Sequence, residues 1–223
     1  MRRTTLAAAF LLALCASADA ALLDPAQVDP SRLLPPPPAA GSDAARGEIA
    51  ELHAIADAAT PQMLAAAAHD ANDQQPDLFN AVLGFDITQY PATLKLLREV
   101  GRESSSGAAK SYFHRPRPWV ADATIKTCVS HFGRSGEDSY PSGHTTYAFA
   151  LGVVMAALLP AKAQAILTRS AEFGHNRMVC GFHFRSDVEG GQTYGTLIAV
   201  ELMDNPAFKA DFAAAATELA ARK

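Results

Sequence analysis

Apolar residues recur along this chain at the three- and four-residue spacing of an α-helix, whereas the alternation typical of β-strands is almost absent. One helix is predicted from Pro91 towards Phe113. Its Leu94, Leu97 and Gly101 are spaced to line one buried face. Residues 119–140, rich in Gly, Ser and Asp, are predicted to be irregular. Further helices are predicted from Ser42 past Ile55, from Pro61 to about Asp70, from near Ser142 to Pro160, and over Ala163–Phe173, Asp187–Met203 and Pro206–Ala221. The chain is therefore expected to be all-α.

Length and composition favour a single compact helical domain. Of 223 residues, 49% are hydrophobic and 19% are charged, which excludes a disordered chain or a collagen-like repeat. The 19 Lys and Arg residues against 23 Asp and Glu residues give a net charge of −4. We expect no nucleic-acid binding, since that function normally needs a basic surplus. We also expect no stable membrane insertion, because no stretch after the N-terminus approaches about 18 uninterrupted apolar residues.

The first twenty residues have the three parts of a secretory signal peptide. Arg2 and Arg3 precede an apolar stretch over Leu6–Leu14, and residues 18–20 form an A-x-A cleavage site. A lipoprotein signal at Cys15 is the alternative, but a large residue precedes this cysteine where a small one is usual. Cleavage after residue 20 and a periplasmic location are therefore predicted.

Three parts of the chain are expected: a signal peptide over residues 1–20, an extended Pro-rich N-terminal arm over 21–42, and a helical domain over 43–223. The arm is expected to be extended because Pro35–Pro38 cannot lie inside a helix. After export, Cys128 and Cys180 form an even pair in an oxidising space. A disulfide between them and two free buried thiols are the two alternatives. The Cys128-x-x-His spacing has no second half, so no metal site is predicted.

Three segments concentrate cations, histidines and turn residues. In the first, Lys110 and Arg117 are seven residues apart, which would place both on one face of a continuous helix. Pro116 and Pro118 end that helix, so Arg117 is expected to be held where the chain leaves it. Basic residues near a helix C-terminus commonly interact with the helix dipole, which is the alternative to ligand binding.

The second segment, Tyr140–Thr145, begins an apolar helix with a Pro-Ser-Gly turn. Such a turn presents free backbone N–H groups at the positive end of the helix dipole, and Gly143 allows an oxyanion to approach the backbone closely. The alternative is an ordinary helix N-cap provided by Ser142. A histidine at position 144 is not needed for capping, so its presence favours the anion-site interpretation.

The third segment runs from Asn176 to Asp187 and contains Arg177. His183 and Asp187 are spaced i, i+4, so the carboxylate could reach one ring nitrogen if this stretch is helical. That hydrogen bond would fix the histidine tautomer and leave the other nitrogen as a nucleophile or base. A surface His–Asp pair is the alternative.

Together the three segments resemble the signature of the type-2 phosphatidic acid phosphatase superfamily. The motif reads Lys110-x6-Arg117-Pro118, Pro141-Ser-Gly-His144 and Arg177-x5-His183-x3-Asp187. The chain looks most like the secreted class A bacterial non-specific acid phosphatases. Matches to that class extend from about Leu33 almost to the C-terminus, in the stretches Leu33–Pro38, Ser139–Thr145, Val179–His183 and Asn205–Phe208.

The resemblance implies an all-α phosphatase acting on small phosphate monoesters without a metal or other cofactor. By similarity, His183 attacks phosphorus, Asp187 holds its other nitrogen, and His144 protonates the leaving group. The implied phosphate-binding residues are Lys110, Arg117, Ser142, Gly143 and Arg177. The resemblance also implies an acidic pH optimum, phosphotransfer to alcohols as a side activity, and a chain that can form a homo-oligomer.

Three residues depart from the class A pattern. Asn176 stands where the family usually has Ser, and its amide can still donate a hydrogen bond. His175 stands where Glu or Gln is common, and Asp138 where Gly is usual. These positions are where local charge and loop conformation are expected to differ from those of relatives.

Three other functions are considered. Cys128 and Arg134-Ser135 fit the Cys-x5-Arg-Ser loop of cysteine-dependent phosphatases, but the segment lacks a preceding strand and lies in an oxidising space. A vanadium haloperoxidase would share the oxyanion site, although the short chain and the class A flanks favour hydrolysis. A periplasmic phosphate-binding protein would explain the cations, but not His144 together with His183 and Asp187.

Overall fold

The computed structural model describes residues 21–72 and 74–222, and within these ranges every regular element is a helix. The all-α prediction is confirmed. In this described part, the α-helices are α1 Pro30–Leu33, α2 Asp43–Ala58, α3 Pro61–Asn72, α4 Asn80–Leu83, α5 Pro91–Glu103, α6 Gly107–Phe113, α7 Pro118–Ala121, α8 Gly143–Leu158, α9 Ala163–Val179, α10 Arg185–Asp204 and α11 Pro206–Ala220. Short 3₁₀ turns occur at Pro76–Phe79, Ile87–Gln89 and Pro160–Lys162.

Helix α8 is the centre of the domain. It is apolar on nearly all sides, as expected of a helix surrounded by others, and it packs against α9 and α10. Gly195 of α10 lies so close to α8 that a Cβ there would be 2.2 Å from the carbonyl oxygen of Thr146. Nearer the start of α10, a Cβ on Gly191 would be 2.7 Å from the carbonyl oxygen of Ser142. These close approaches bring the beginnings of α8 and α10 together, where the second and third sequence segments lie. Helices α5 and α11 pack against each other at one side of this core.

The helix predicted from Pro91 towards Phe113 is broken. It forms α5 and α6, separated by Ser104–Ser106. The Ser104 hydroxyl donates to the carbonyl of Gly101 over 3.0 Å, and such local side-chain bonds compete with helix continuation. The break turns Ser104–Ser106 towards a cavity that also contains Lys110.

Two other predicted boundaries are wrong. Helix α9 continues past Phe173 to Val179, because Gly174 packs tightly against Thr145 instead of ending the helix. Arg177 therefore lies in the last turn of α9. The stretch predicted to be irregular contains α7, one helical turn that begins with Pro118 at a position favourable for proline.

The N-terminal arm is extended only in part: a turn over residues 25–28 and one helical turn, α1, which is capped by the Asp29 carboxylate, precede an extended stretch over residues 35–39. Side chains of the domain fasten the arm: the Tyr140 hydroxyl donates to the Pro35 carbonyl and the Tyr194 hydroxyl to the Val28 carbonyl, each over 2.8 Å. The predicted signal peptide lies outside the described residues. Among the residues that the structure describes, no helix has the length and apolarity that crossing a membrane requires.

Candidate active site

The three sequence segments meet in one cavity of about 490 Å³. α6 and the loop after it supply the first segment, the start of α8 supplies the second, and the end of α9 with the turn before α10 supplies the third. The cavity wall includes Lys110, Arg117, Arg134, Asp138, Gly143, His144, Arg177 and His183. Asp187 and Ser142 are fully buried directly behind this wall.

The turn that begins α8 leaves two backbone amides for a ligand. The Ser142 hydroxyl caps the helix by accepting from the amide and hydroxyl of Thr145, and the Ser142 amide donates to the Asp187 carbonyl over 2.9 Å. The amides of Gly143 and His144 belong to the first helical turn and have no intrahelical acceptor. Ser142 therefore acts as an N-cap, and its neighbours provide the open amides.

His183 and Asp187 interact, although the stretch that joins them is helical only from Arg185 onwards. His183 precedes α10, and Asp187 lies in its first turn. The Asp187 carboxylate accepts from the Phe184 amide over 2.9 Å and lies 3.2 Å from Nδ1 of His183. With Nδ1 protonated towards the carboxylate, Nε2 carries the lone pair and points to the cavity side of the ring.

Sequence reasoning missed the residues that hold Asp187. An Nη1 of Arg115 donates to Asp187 over 2.5 Å, and Nη2 of the same guanidinium donates to Glu48 of α2 over 2.6 Å. The Ser139 hydroxyl also donates to Asp187, over 2.6 Å. Arg115 is the first arginine of the Arg-Pro-Arg-Pro stretch, and this repeated pattern was the only sequence feature that could have drawn attention to Arg115 beside Arg117. No sequence feature pointed to Glu48, because it is 67 positions from Arg115.

Arg117 connects the first and third segments. One guanidinium nitrogen donates to the Phe182 carbonyl over 2.9 Å and lies 2.8 Å from Nε2 of His183. Its Nε donates to the Asp138 carboxylate over 2.8 Å. The guanidinium thus contacts the ring nitrogen that the Asp187 hydrogen bond leaves available.

Arg177 is the cavity cation that points most directly to an anionic ligand. It is 2% exposed, and its Nε and one terminal nitrogen have no hydrogen-bond partner among the described residues. Buried donors are normally paired, so these nitrogens indicate a missing anionic ligand. Burial, followed by the charge of Arg117, lowers the pKa of Arg177 to about 9. Burial and Arg117 likewise lower the pKa of Lys110 to about 8. Both groups remain charged at neutral and acidic pH.

Both cavity histidines have lowered pKa values, which favours the neutral rings. Burial, with the charge of Arg177, lowers the pKa of His144 to about 3. Complete burial and the charges of Arg117 and Lys110 lower the pKa of His183 well below its usual range. The backbone of Ala71 in α3 partly offsets this lowering of the His144 pKa.

The departures at positions 175 and 176 have different consequences. The Asn176 amide donates to Asp70 of α3 over 2.8 Å, and Arg169 of α9 binds the same carboxylate with two nitrogens. This cluster ties α9 to the C-terminal part of α3. The side chain of His175 is exposed outside the cavity.

Cys128 and Cys180 are joined by a disulfide that closes the loop before α8 onto the end of α9. A disulfide sulfur provides no thiolate, so the structure contradicts a cysteine-dependent phosphatase built on Cys128. Within residues 21–72 and 74–222, no three His, Cys, Asp or Glu side chains are arranged to hold a metal ion.

The arrangement is suited to binding a tetrahedral oxyanion next to a neutral histidine. Three cations and two open amides can contact its oxygens, with Arg side chains able to bind two oxygens at once. Nε2 of His183 can serve as a nucleophile, because its other nitrogen is held by Asp187. His144 lies across the same cavity and can exchange a proton with a departing oxygen.

Comparison with known proteins agrees with this geometry. Residues 95–209 match the PAP2 superfamily. The chain is 35% identical over 151 residues to a non-specific acid phosphatase of Salmonella typhimurium, covering 64% of this chain and 59% of that protein. It is 31% identical over 199 residues to an acid phosphatase of Zymomonas mobilis, covering 86% and 75%. It is 30% identical over 208 residues to a non-specific acid phosphatase of Providencia stuartii, covering 88% and 83%. The matched region spans about three fifths of the Salmonella protein. The chain belongs to the PAP2 superfamily and is related within it to the class A type of bacterial acid phosphatases.

Proposed function

We propose that this protein is a secreted acid phosphatase that hydrolyses a broad range of phosphate monoesters through a phosphohistidine on His183, without a metal ion. The observation that carries the proposal is the buried Arg177 guanidinium with two unpartnered nitrogens, in the same cavity as His183 with its Nδ1 next to Asp187. The relatives named acid phosphatases support the same reaction.

In the first step of the proposed reaction, Nε2 of His183 forms a bond to phosphorus as the ester P–O bond breaks. The leaving alkoxide takes a proton from His144, and Asp187 stabilises the positive charge that develops on the His183 ring. In the second step, His144 removes a proton from water, the water oxygen bonds to phosphorus, and the P–N bond breaks to release phosphate. An alcohol in place of water would give phosphotransfer.

The cations explain why a metal would not be needed. Lys110, Arg117 and Arg177 together oppose the charge on the non-bridging oxygens, and this is the electrostatic contribution that metal ions make in other phosphatases. A cavity that reads mainly the phosphate group places few demands on the alcohol. The enzyme should therefore hydrolyse phosphate monoesters of many different alcohols.

Substrate binding favours the protonated form of His144 that the mechanism needs, with the proton taken up from solvent. In the empty cavity, burial and the surrounding cations hold the pKa of His144 at about 3. A phosphate anion offsets those cations, so the pKa of His144 rises in the complex while His183 must remain neutral to attack. An acidic optimum with a bell-shaped pH profile is therefore expected.

The test is hydrolysis of p-nitrophenyl phosphate in excess EDTA from acidic to neutral pH, comparing wild type with His183→Ala. His175→Ala is the matched control, because it removes an exposed histidine outside the cavity. We expect turnover with an acidic optimum in wild type and control, and none in His183→Ala. With substrate radiolabelled in the phosphate group, an alkaline quench should leave label on the wild-type and His175→Ala chains and none on His183→Ala. Turnover in His183→Ala equal to wild type would disprove the assigned nucleophile.

Export is tested separately. The Cys128–Cys180 disulfide supports an oxidising compartment, and cleavage after residue 20 would leave Ala21 as the new N-terminus. Fractionation of cells that express the full chain, followed by N-terminal sequencing, should find the protein in the periplasm beginning at Ala21. A cytoplasmic chain that retains residues 1–20 would contradict export.

A further inference from the structure

Asp138 places a negative charge in a cavity whose other charged side chains are cations. One carboxylate oxygen accepts from Nε of Arg117 over 2.8 Å, and the other lies 4.0 Å from Nζ of Lys110. The ammonium group also donates to the backbone carbonyl of Asp138. The carboxylate therefore interacts with Arg117 and Lys110, the two cations expected to bind phosphate oxygens. Class A relatives usually have glycine at this sequence position.

The position of this carboxylate is fixed by the backbone on both sides. The Arg117 amide donates to the Gly136 carbonyl over 2.7 Å, and the Ser139 amide donates to the Arg115 carbonyl over 3.0 Å. These bonds hold the loop that carries Asp138 beside the first segment. The side chain remains 35% exposed, so a ligand in the cavity can reach it.

Asp138 is ionised at about pH 5, where phosphate esters still carry a proton. Burial opposes ionisation, but the hydrogen bond and charge of Arg117, with the charge of Lys110, lower the net pKa of Asp138 below its ordinary value. The other titratable groups of the cavity are Arg134 on the same loop, His144 on α8, Arg177 on α9 and His183 before α10.

A fixed carboxylate distinguishes oxyanions by whether they carry a proton. An oxyanion with a P–OH group can donate a hydrogen bond to the carboxylate, and hydrogen bonds to ionised acceptors are strong. A fully deprotonated dianion instead places oxygen lone pairs and negative charge against it, which is unfavourable at short range. We propose that Asp138 makes this cavity selective for protonated phosphate groups over oxyanions that carry no proton; this inference rests on the proposed function of the cavity.

Phosphate and sulfate test this selectivity, because they share a tetrahedral shape but differ in protonation. At about pH 5 phosphate carries protons, whereas sulfate is a dianion without one. The experiment is isothermal titration calorimetry of each anion with the purified wild-type protein, Asp138→Asn and Asp138→Ala. Glu137→Gln is the matched control, since it removes a negative charge from the same loop at an exposed position outside the cavity. Calorimetry requires no turnover.

We expect wild type and Glu137→Gln to prefer phosphate over sulfate by about tenfold or more, the range expected of one hydrogen bond to a charged group. In Asp138→Asn the amide can donate to sulfate, so sulfate binding should tighten by about tenfold while phosphate binding changes much less. Asp138→Ala should lose the preference as well, because it removes the same negative charge. If both variants kept the wild-type preference for phosphate over sulfate, the inference about Asp138 would be wrong and the proposed function would be unaffected. Failure of wild type to bind phosphate would instead contradict the proposed function.

Discussion

A terminal nitrogen of Arg117 lies 2.8 Å from Nε2 of His183, within hydrogen-bond distance of the ring nitrogen proposed to attack phosphorus. Because Nδ1 faces Asp187, Nε2 is the acceptor in this contact. Nε2 of His183 is therefore covered by a cation. A bound phosphate offers Arg117 a stronger acceptor, and transfer of this hydrogen bond to a phosphate oxygen would free the lone pair at the moment when the substrate is in place.

The first prediction concerns the shape of the Arg117 side chain. Arg117→Lys keeps the charge but cannot hold Asp138, the Phe182 carbonyl and a phosphate oxygen with one planar group. We expect kcat/KM for p-nitrophenyl phosphate to fall by about 100-fold, the scale of losing one positioned oxyanion donor. Arg134→Lys changes another arginine of the same cavity wall, one that is exposed, and should lose far less. Equal losses in the two variants would contradict a specific role for Arg117.

The second prediction concerns Arg115, which binds two acidic groups from distant parts of the chain. Arg115→Met would leave Asp187, which is fully buried, without its cation. Removing one partner of a buried ion pair is costly, so we expect the free energy of unfolding to fall by about 3 kcal/mol or more. Urea denaturation measures this change.

Arg185→Met is the control for Arg115→Met. Arg185 forms an ion pair with Glu51, which lies on α2 as Glu48 does, but the Arg185 side chain is exposed. Exposed pairs contribute about 1 kcal/mol or less. If both variants lose similar stability, the burial of the Arg115–Asp187 pair is not what stabilises the start of α10.

The helices and the chemistry-bearing segments could be predicted from the sequence because both are local patterns. Apolar spacing indicated α5, α8, α10 and α11, and the Pro-Ser-Gly turn indicated the start of α8. The break at Ser104–Ser106 was missed, since helix-compatible residues continue on both sides of it.

The contacts that organise the site could not be predicted, because they join residues without a shared local pattern. Glu48 reaches Arg115 from α2, and Asp70 reaches Asn176 from α3. An exposed acid and a buried ligand of an arginine look alike in sequence. Likewise, the replacement of glycine by Asp138 marked an unusual loop, but only the structure showed its carboxylate on Arg117.

The third prediction concerns protons taken up when an anion binds. Burial and nearby cations hold the pKa of free His144 at about 3, so the ring is neutral at about pH 5. An anion among those cations raises this pKa, and binding should therefore draw a proton onto His144. Calorimetry of phosphate binding in buffers of different ionisation enthalpy measures the number of protons exchanged. His144→Asn should take up fewer protons than wild type; identical values would show that His144 stays neutral in the complex.

The last prediction separates the structural role of the disulfide from catalysis. Cys128 and Cys180 are 52 positions apart, and a link across such a loop restricts the unfolded chain. Replacing both cysteines by serine should lower the free energy of unfolding by about 2–5 kcal/mol, as measured by urea denaturation. Wild type treated with a reductant should lose a similar amount.

Turnover by the folded double-serine variant should remain close to that of wild type, because neither sulfur lines the cavity that contains His183. Activity must be measured well below the variant's unfolding midpoint, so that lost stability is not mistaken for lost chemistry. Cys180 follows α9 directly, and the bond therefore braces the helix end that carries Arg177. If the folded variant lost turnover, the bond would be needed to position the cavity, most directly the end of α9 that carries Arg177.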